Sequence, residues 1–146
     1  MRKIIILFAA LLVISCSSTK NTSTSQSTFS GKHELVDEQT FKLDEYSQDE
    51  SYGYTQKNPI KVGNFAEGPK NERRFFNALA GPNGEKISYY RIGSCCEFKT
   101  KNSPFGGGLL DKYSVTYEGA TQEIVLYINM YDADVLKVPV GFTLKK

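Results

Sequence analysis

The longest alternating stretch of the chain is Glu123–Tyr131. Ile124, Leu126, Ile128 and Met130 fall on one face, and Val125, Tyr127, Asn129 and Tyr131 on the other. A period of two is that of a β-strand, whose successive side chains point to opposite faces. Lys112–Tyr117 repeats it, with Tyr113, Val115 and Tyr117 set against Lys112, Ser114 and Thr116. Between the two lies Glu118-Gly119-Ala120-Thr121, a short Gly-containing turn, so they read as a hairpin. In Lys86–Ile92 both faces are partly apolar: Ile87 and Tyr89 alternate with Ser88, Tyr90 and Ile92. Ile60–Val62 is a shorter strand candidate. One segment has the helical period instead. From Pro69 to Ala80, the residues Phe75, Phe76, Leu79 and Ala80 form one stripe. Pro69 suits the first turn, Glu72 lies near the positive end of the macrodipole, and Gly81-Pro82 ends the helix. Asp132–Leu136 suggests a helical turn, and Pro139-Val140-Gly141-Phe142 a packed tail. The order β-α-β-β-β predicts the α+β class. The expected architecture is one small domain, an antiparallel sheet of about four strands with one helix packed on it.

The N-terminus follows another pattern. Arg2 and Lys3 precede an unbroken apolar run of 11 residues, Ile4–Ile14. As a helix this run is roughly 16 Å long against a hydrocarbon core of about 30 Å, so it reads as a signal-peptide core rather than a span. It ends in Val13-Ile14-Ser15-Cys16, which resembles the bacterial lipobox. That resemblance implies removal of residues 1–15 and attachment of diacylglycerol and fatty acyl chains such as palmitate to Cys16. Such chains hold a protein by about 0.8 kcal/mol per buried methylene. Ser17 and Ser18 follow Cys16 rather than Asp, which favours the outer membrane over the inner one. Residues 16–31 then read as a lipidated Cys and a tether, since ten of residues 17–31 are Ser or Thr. Residues 32–50 carry seven acidic and two basic residues, a net of −5, and read as an acidic, largely disordered stretch. Phe41 and Leu43 alternate with Lys42 and Asp44 there, enough for a short edge strand. Residues 51–146 hold 14 of the 18 aromatics, all five Pro and 11 of the 12 Gly, and read as the globular domain.

Charge and length narrow the function. Of 146 residues, 18 are basic and 16 acidic; without Arg2 and Lys3 the balance is 16 to 16, a net of zero. Nucleic-acid binding wants a basic excess, so no nucleic-acid partner is expected. The length excludes a complete TIM barrel, which takes about 250 residues.

Four features carry candidate chemistry. Cys95-Cys96 is the first. In an exported, oxidising setting the adjacent thiols need explaining. The options are two buried small hydrophobes, a vicinal disulfide, a bond to another protein, or a metal or redox pair, the metal option lacking the usual ligand spacing. Second, Phe105-Gly106-Gly107-Gly108 follows Asn102-Ser103-Pro104 as a candidate binding loop. It lacks the Gly-Lys-Ser/Thr of a phosphate-binding loop. Third, Tyr89, Tyr90 and Arg91 offer a polar aromatic patch for a glycan or peptide, or simply a sheet of half-buried tyrosines. Fourth, Asp132 and Asp134 form a carboxylate pair best explained by a solvated turn. His33 is the only His and lies in the acidic stretch, so a nucleophile paired with His has no base inside the domain. No catalytic residue, metal site or cofactor is expected.

Several segments together resemble a family of small Bacteroidetes lipoproteins. They are Asn58-Pro59-Ile60-Lys61-Val62-Gly63, Gly81-Pro82-Asn83-Gly84-Glu85, Arg91-Ile92-Gly93-Ser94-Cys95-Cys96, Gly107-Gly108-Leu109-Leu110-Asp111 and Tyr127-Ile128-Asn129-Met130-Tyr131. The resemblance covers nearly all of residues 52–142. Members often carry the name 2-dehydro-3-deoxyphosphooctonate aldolase, so it implies aldolase activity. The enzyme of that name resembles a full TIM barrel, which this length and the missing βα repeats do not allow. The reading is therefore a lipid-anchored cell-envelope lipoprotein with a small non-enzymatic binding or structural domain. Its partners are membrane lipid through Cys16 and an envelope protein or glycan. The alternatives are a thiol/redox module using Cys95-Cys96 and, second, the aldolase.

Overall fold

The structure, a computed structural model, describes residues 31–146. The expected signal peptide, the expected lipidation site Cys16 and the expected tether up to residue 30 lie outside the described residues. The described chain runs β1 (Leu35–Asp37), β2 (Thr40–Phe41), β3 (Glu45–Tyr46), β4 (Ile60–Lys61), a 3-10 turn (Phe65–Glu67), α1 (Gly68–Asn77), β5 (Leu79–Ala80), β6 (Ile87–Lys99), β7 (Gly107–Tyr117), β8 (Ile124–Asn129), β9 (Lys137–Val138) and β10 (Thr143–Leu144). No helix among the described residues is long and apolar enough to cross a membrane.

Four strands form the main sheet in the order β4-β8-β7-β6. β6 and β7 pair antiparallel from Ile87↔Tyr117 to Lys99↔Gly107, and β7 and β8 pair antiparallel from Val115↔Ile124 to Asp111↔Ile128. The α+β class, the four-stranded sheet and the single packed helix match the sequence pattern. One strand departs from it, because β4 runs parallel to β8, Ile60 beside Ile128. Parallel neighbours need a long connection, and here α1 and the β6–β7 hairpin provide it. Periodicity in a two-residue strand cannot reveal direction.

The helix covers one face of the sheet. Phe75 and Phe76 are fully buried against Ile87, Tyr113, Val115, Leu126 and Ile128 in one core cluster. Asn64 caps the turn before α1, its side chain accepting the Glu67 N–H at 3.1 Å, and Pro69 occupies the first helical turn. The helix closes at Asn77, three residues short of the sequence-based end, because Leu79–Ala80 pair with Thr143–Leu144 of the packed tail. Gly81 serves close approach. A Cβ there would lie 2.5 Å from the Glu85 carboxylate and 3.0 Å from the Tyr117 ring. Asp132–Leu136 forms no helical turn. Ala133 instead bridges to Val62, and Leu136 enters the core.

The acidic stretch is folded, which corrects the boundary expected at residue 51. β1 and β2 form a small hairpin, and β3 pairs parallel with β9. Phe41 and Leu43 are buried in the core cluster. Arg74 donates from Nε to the Glu38 carbonyl at 3.0 Å, and Asn77 to the Gln39 carbonyl at 2.8 Å. The net charge of −5 misled because the acidic side chains stay at the surface while the two apolar ones between them supply the burial.

Candidate functional site

The site begins with an irregularity. In a regular strand, residues three apart point to opposite faces, so Arg91 and Ser94 should diverge. A β-bulge between Arg91 and Gly93 leaves Ile92 as the extra residue, and Arg91↔Tyr113 and Ser94↔Asp111 become neighbouring pairs. Both side chains then reach Asp111. Arg91 donates from Nη2 to Asp111 Oδ1 at 2.7 Å, Ser94 donates from Oγ to the same oxygen at 2.7 Å, and Arg91 also donates to Ser94. Asp111 is buried on the helix-facing side of the central strand, and the Arg91 side chain remains about half exposed.

From the helix above, Glu72 points down into the same place. It is fully buried and accepts the Tyr113 hydroxyl at 2.7 Å through Oε2. Oε1 meets no N–H or O–H donor among the described residues. Burial pushes the Glu72 carboxyl up to about 7; the Tyr113 hydrogen bond pulls it down, and the Asp111 charge adds to the rise. With Glu72 raised and Asp111 lowered, Glu72 is the member of this carboxyl pair that keeps its proton. Asp111 is the charged member. Burial pushes it up, but the bonds from Arg91 and Ser94 and the Arg91 charge outweigh this and hold it below the usual carboxylate range. Burial, with Glu72 as hydrogen-bond partner, raises the Tyr113 hydroxyl well above its ordinary value, so it stays a neutral donor.

Glu72, Arg91, Asp111 and Tyr113 floor an open groove of about 530 Å³ between α1 and β6–β7, edged by Pro69, Arg73, Tyr89 and Met130. One guanidinium nitrogen of Arg91 is spent on Asp111 and Ser94, and its other N–H donors are left for a ligand. Comparison with family models, curated proteins and solved structures finds no match to this chain. The site must be read from its own geometry.

Of the residues singled out in the sequence, Arg91 belongs to this groove. Tyr89 lines it too, stacked on Phe76 at 4.6 Å with its hydroxyl on Asn77 at 3.1 Å. Tyr90 also lines the groove, while its place in the register turns its side chain toward the opposite face, where the hydroxyl bonds Glu123 at 3.2 Å. Cys95 and Cys96 are joined by a disulfide at a second bulge of β6, next to Ser94. Cys96 lies at φ 61, the one non-glycine residue in the left-handed region among those described. Of the candidate loop, Gly107 and Gly108 belong to β7, Gly108 pressed against the Tyr131 ring, and only Phe105 and Gly106 stand in the loop itself. Asp132 accepts from Thr100, Asn102 and Asn129, and Asp134 pairs with Lys61 at 3.4 Å, so these carboxylates hold turns together. His33 packs edge-on against Phe41 at 5.0 Å, and burial lowers its pKa. No group of three His, Cys, Asp or Glu suited to a metal occurs among the described residues.

Sequence reasoning missed Glu72, Ser94, Asp111 and Tyr113 as a set. A signal was present: Glu72 lies three and four residues before Phe75 and Phe76, so a carboxyl sits on the buried stripe of the helix. Asp111 likewise shares its strand face with Tyr113 and Val115.

Proposed function

We propose that this chain is a lipid-anchored cell-envelope lipoprotein whose domain binds an acceptor-rich ligand, an envelope glycan, in the groove between α1 and β6–β7. The single observation that carries the binding reading is the Arg91 guanidinium. It is fixed from below by Asp111 and Ser94 and open to the groove above. A cation held this way loses little freedom on binding and presents donors in a fixed plane, which suits sugar hydroxyl, acetamido or carboxylate oxygens. The anchored reading is supported by Val13-Ile14-Ser15-Cys16 behind an 11-residue apolar run and by the resemblance to small Bacteroidetes lipoproteins. A non-enzymatic role is favoured because Glu72, Asp111, Ser94 and Tyr113 are engaged with each other. Two tests separate the parts. Intact mass of the membrane-extracted protein should show loss of residues 1–15 and gain of acyl chains, and a chain beginning at Met1 would refute the anchor. Binding of soluble peptidoglycan or capsular glycan fragments should fall at least tenfold in Arg91→Met, which keeps the stem but not the donors. Equal binding by the variant would refute the groove.

The Cys95–Cys96 disulfide beside Ser94 supports a second reading, a thiol/redox module. It requires that a Cys95→Ser/Cys96→Ser chain fold but lose its cellular role. The aldolase implied by the family resemblance has no support from the fold, since no βα repeat is present among the described residues.

A further inference from the structure

The β6–β7 hairpin is longer than the sheet it belongs to. β8 pairs only with Asp111–Val115, so Cys95–Lys99 and Gly107–Leu110 continue as a two-stranded ribbon past its edge. At the tip, Phe105 is 90% exposed, more than any other large apolar side chain described. It is held outward rather than frayed: Ser103 is buried, and its Oγ accepts the Phe105 N–H at 3.2 Å. Lys99 and Lys101 precede it in the same hairpin, both exposed.

The tip and the entry of the chain lie at the same end of the domain. Thr100 and Asn102 donate to Asp132, the latter at 2.8 Å. The next residue, Ala133, lines a cavity with Gly31, Lys32 and His33, where the described chain begins. That end therefore carries one projecting aromatic and three exposed lysines, Lys32, Lys99 and Lys101. Of its nearby carboxylates, Asp132 accepts from three donors and Asp134 pairs with Lys61, which leaves Glu97 of the ribbon as the exposed acid against three lysines. From Cys16 to Gly31 is 15 residues, which reach at most about 50 Å.

We propose that this end faces the lipid bilayer, with Phe105 entering the boundary between headgroups and acyl chains and Lys99 and Lys101 on anionic headgroups. An aromatic ring gains by leaving water there, and lysines beside it gain from the negative surface. The proposal uses the Cys16 anchor only as what brings the domain to the membrane.

The chain contains no Trp, so Phe105→Trp supplies a single reporter. Full-length protein carrying it, reconstituted in phosphatidylcholine–phosphatidylglycerol vesicles, should show blue-shifted emission quenched by brominated lipid. Tyr90→Trp, on the far face of the sheet, should show neither. Adding Lys99→Glu and Lys101→Glu to the Phe105→Trp chain should return its emission toward the aqueous value. Aqueous, unquenched emission from Phe105→Trp would overturn the proposal, as would equal quenching of Tyr90→Trp. Intact mass of the same sample reads the anchor separately. An unlipidated Phe105→Trp chain whose emission is still blue-shifted and quenched sinks the anchor and keeps the tip, and a lipidated chain with an aqueous reporter does the reverse.

Discussion

Replacing Glu72 by Gln should stabilise the domain at neutral and alkaline pH and leave it unchanged in mild acid. Glu72 is fully buried, with one oxygen on Tyr113 and the charge of Asp111 adding to the cost of ionising it. Gln reproduces the uncharged form, its carbonyl accepting from Tyr113. The carboxyl rises from an ordinary value of 4.5 to about 7 on folding. A group whose pKa is raised by folding adds stability that is complete below its unfolded pKa and is lost as pH climbs through the folded one. At about 1.4 kcal/mol per tenfold change in proton affinity, the wild type loses about 3 kcal/mol across this window. Urea unfolding of both chains from pH 4.5 to pH 8 measures this. The variant should gain on wild type by about 3 kcal/mol over the series, most steeply between pH 5 and pH 7. His33 works in the opposite sense: its lowered pKa gives stability that is present above 6.5 and lost as pH falls. The difference between the two chains, not either profile alone, is therefore the quantity to read. A difference that stays flat with pH would show that Glu72 is ionised in the fold and would refute the protonated carboxyl.

Phe41→Ala should cost about 3–5 kcal/mol in chemical unfolding, because Phe41 is buried in the main core; a cost below about 1 kcal/mol would return residues 32–50 to the surface. Gly63→Ala should destabilise by well over about 1 kcal/mol, since φ is 35° and the new Cβ would lie 2.5 Å from that of Ala133; an unchanged melting temperature would refute that packing. Asp111→Ala should cost about 3 kcal/mol or more, because it removes the buried acceptor that Arg91 and Ser94 share, and denaturant titration measures the loss. Cys95→Ser/Cys96→Gly should be more stable than Cys95→Ser/Cys96→Ser, since only Gly enters the left-handed region freely at residue 96; equal melting temperatures would show that the bulge relaxes without the bond.

What could be read from the chain, and what could not, divides along a physical line. Helix and strands of the main layer were legible because Phe75–Phe76 and Ile124–Leu126–Ile128 repeat with the period of their element. Burial on one face imposes that repeat. The acidic stretch was misjudged because its fold rests on two buried side chains, Phe41 and Leu43, among seven carboxylates, and composition averages them away. The groove was missed for a related reason. A bulge breaks the period of two, and that break is what turns Arg91 and Ser94 to the same face. Pattern reading assumes the period holds, so it goes blind where a strand departs from regularity to assemble polar groups. β6 departs twice within six residues, once to gather Arg91, Ser94 and Asp111 and once at Cys95–Cys96. A strand built only to cover a core gains nothing from either irregularity. The first of them lies where β6 floors the groove, at Arg91, and it is on that residue that the proposed binding reading rests.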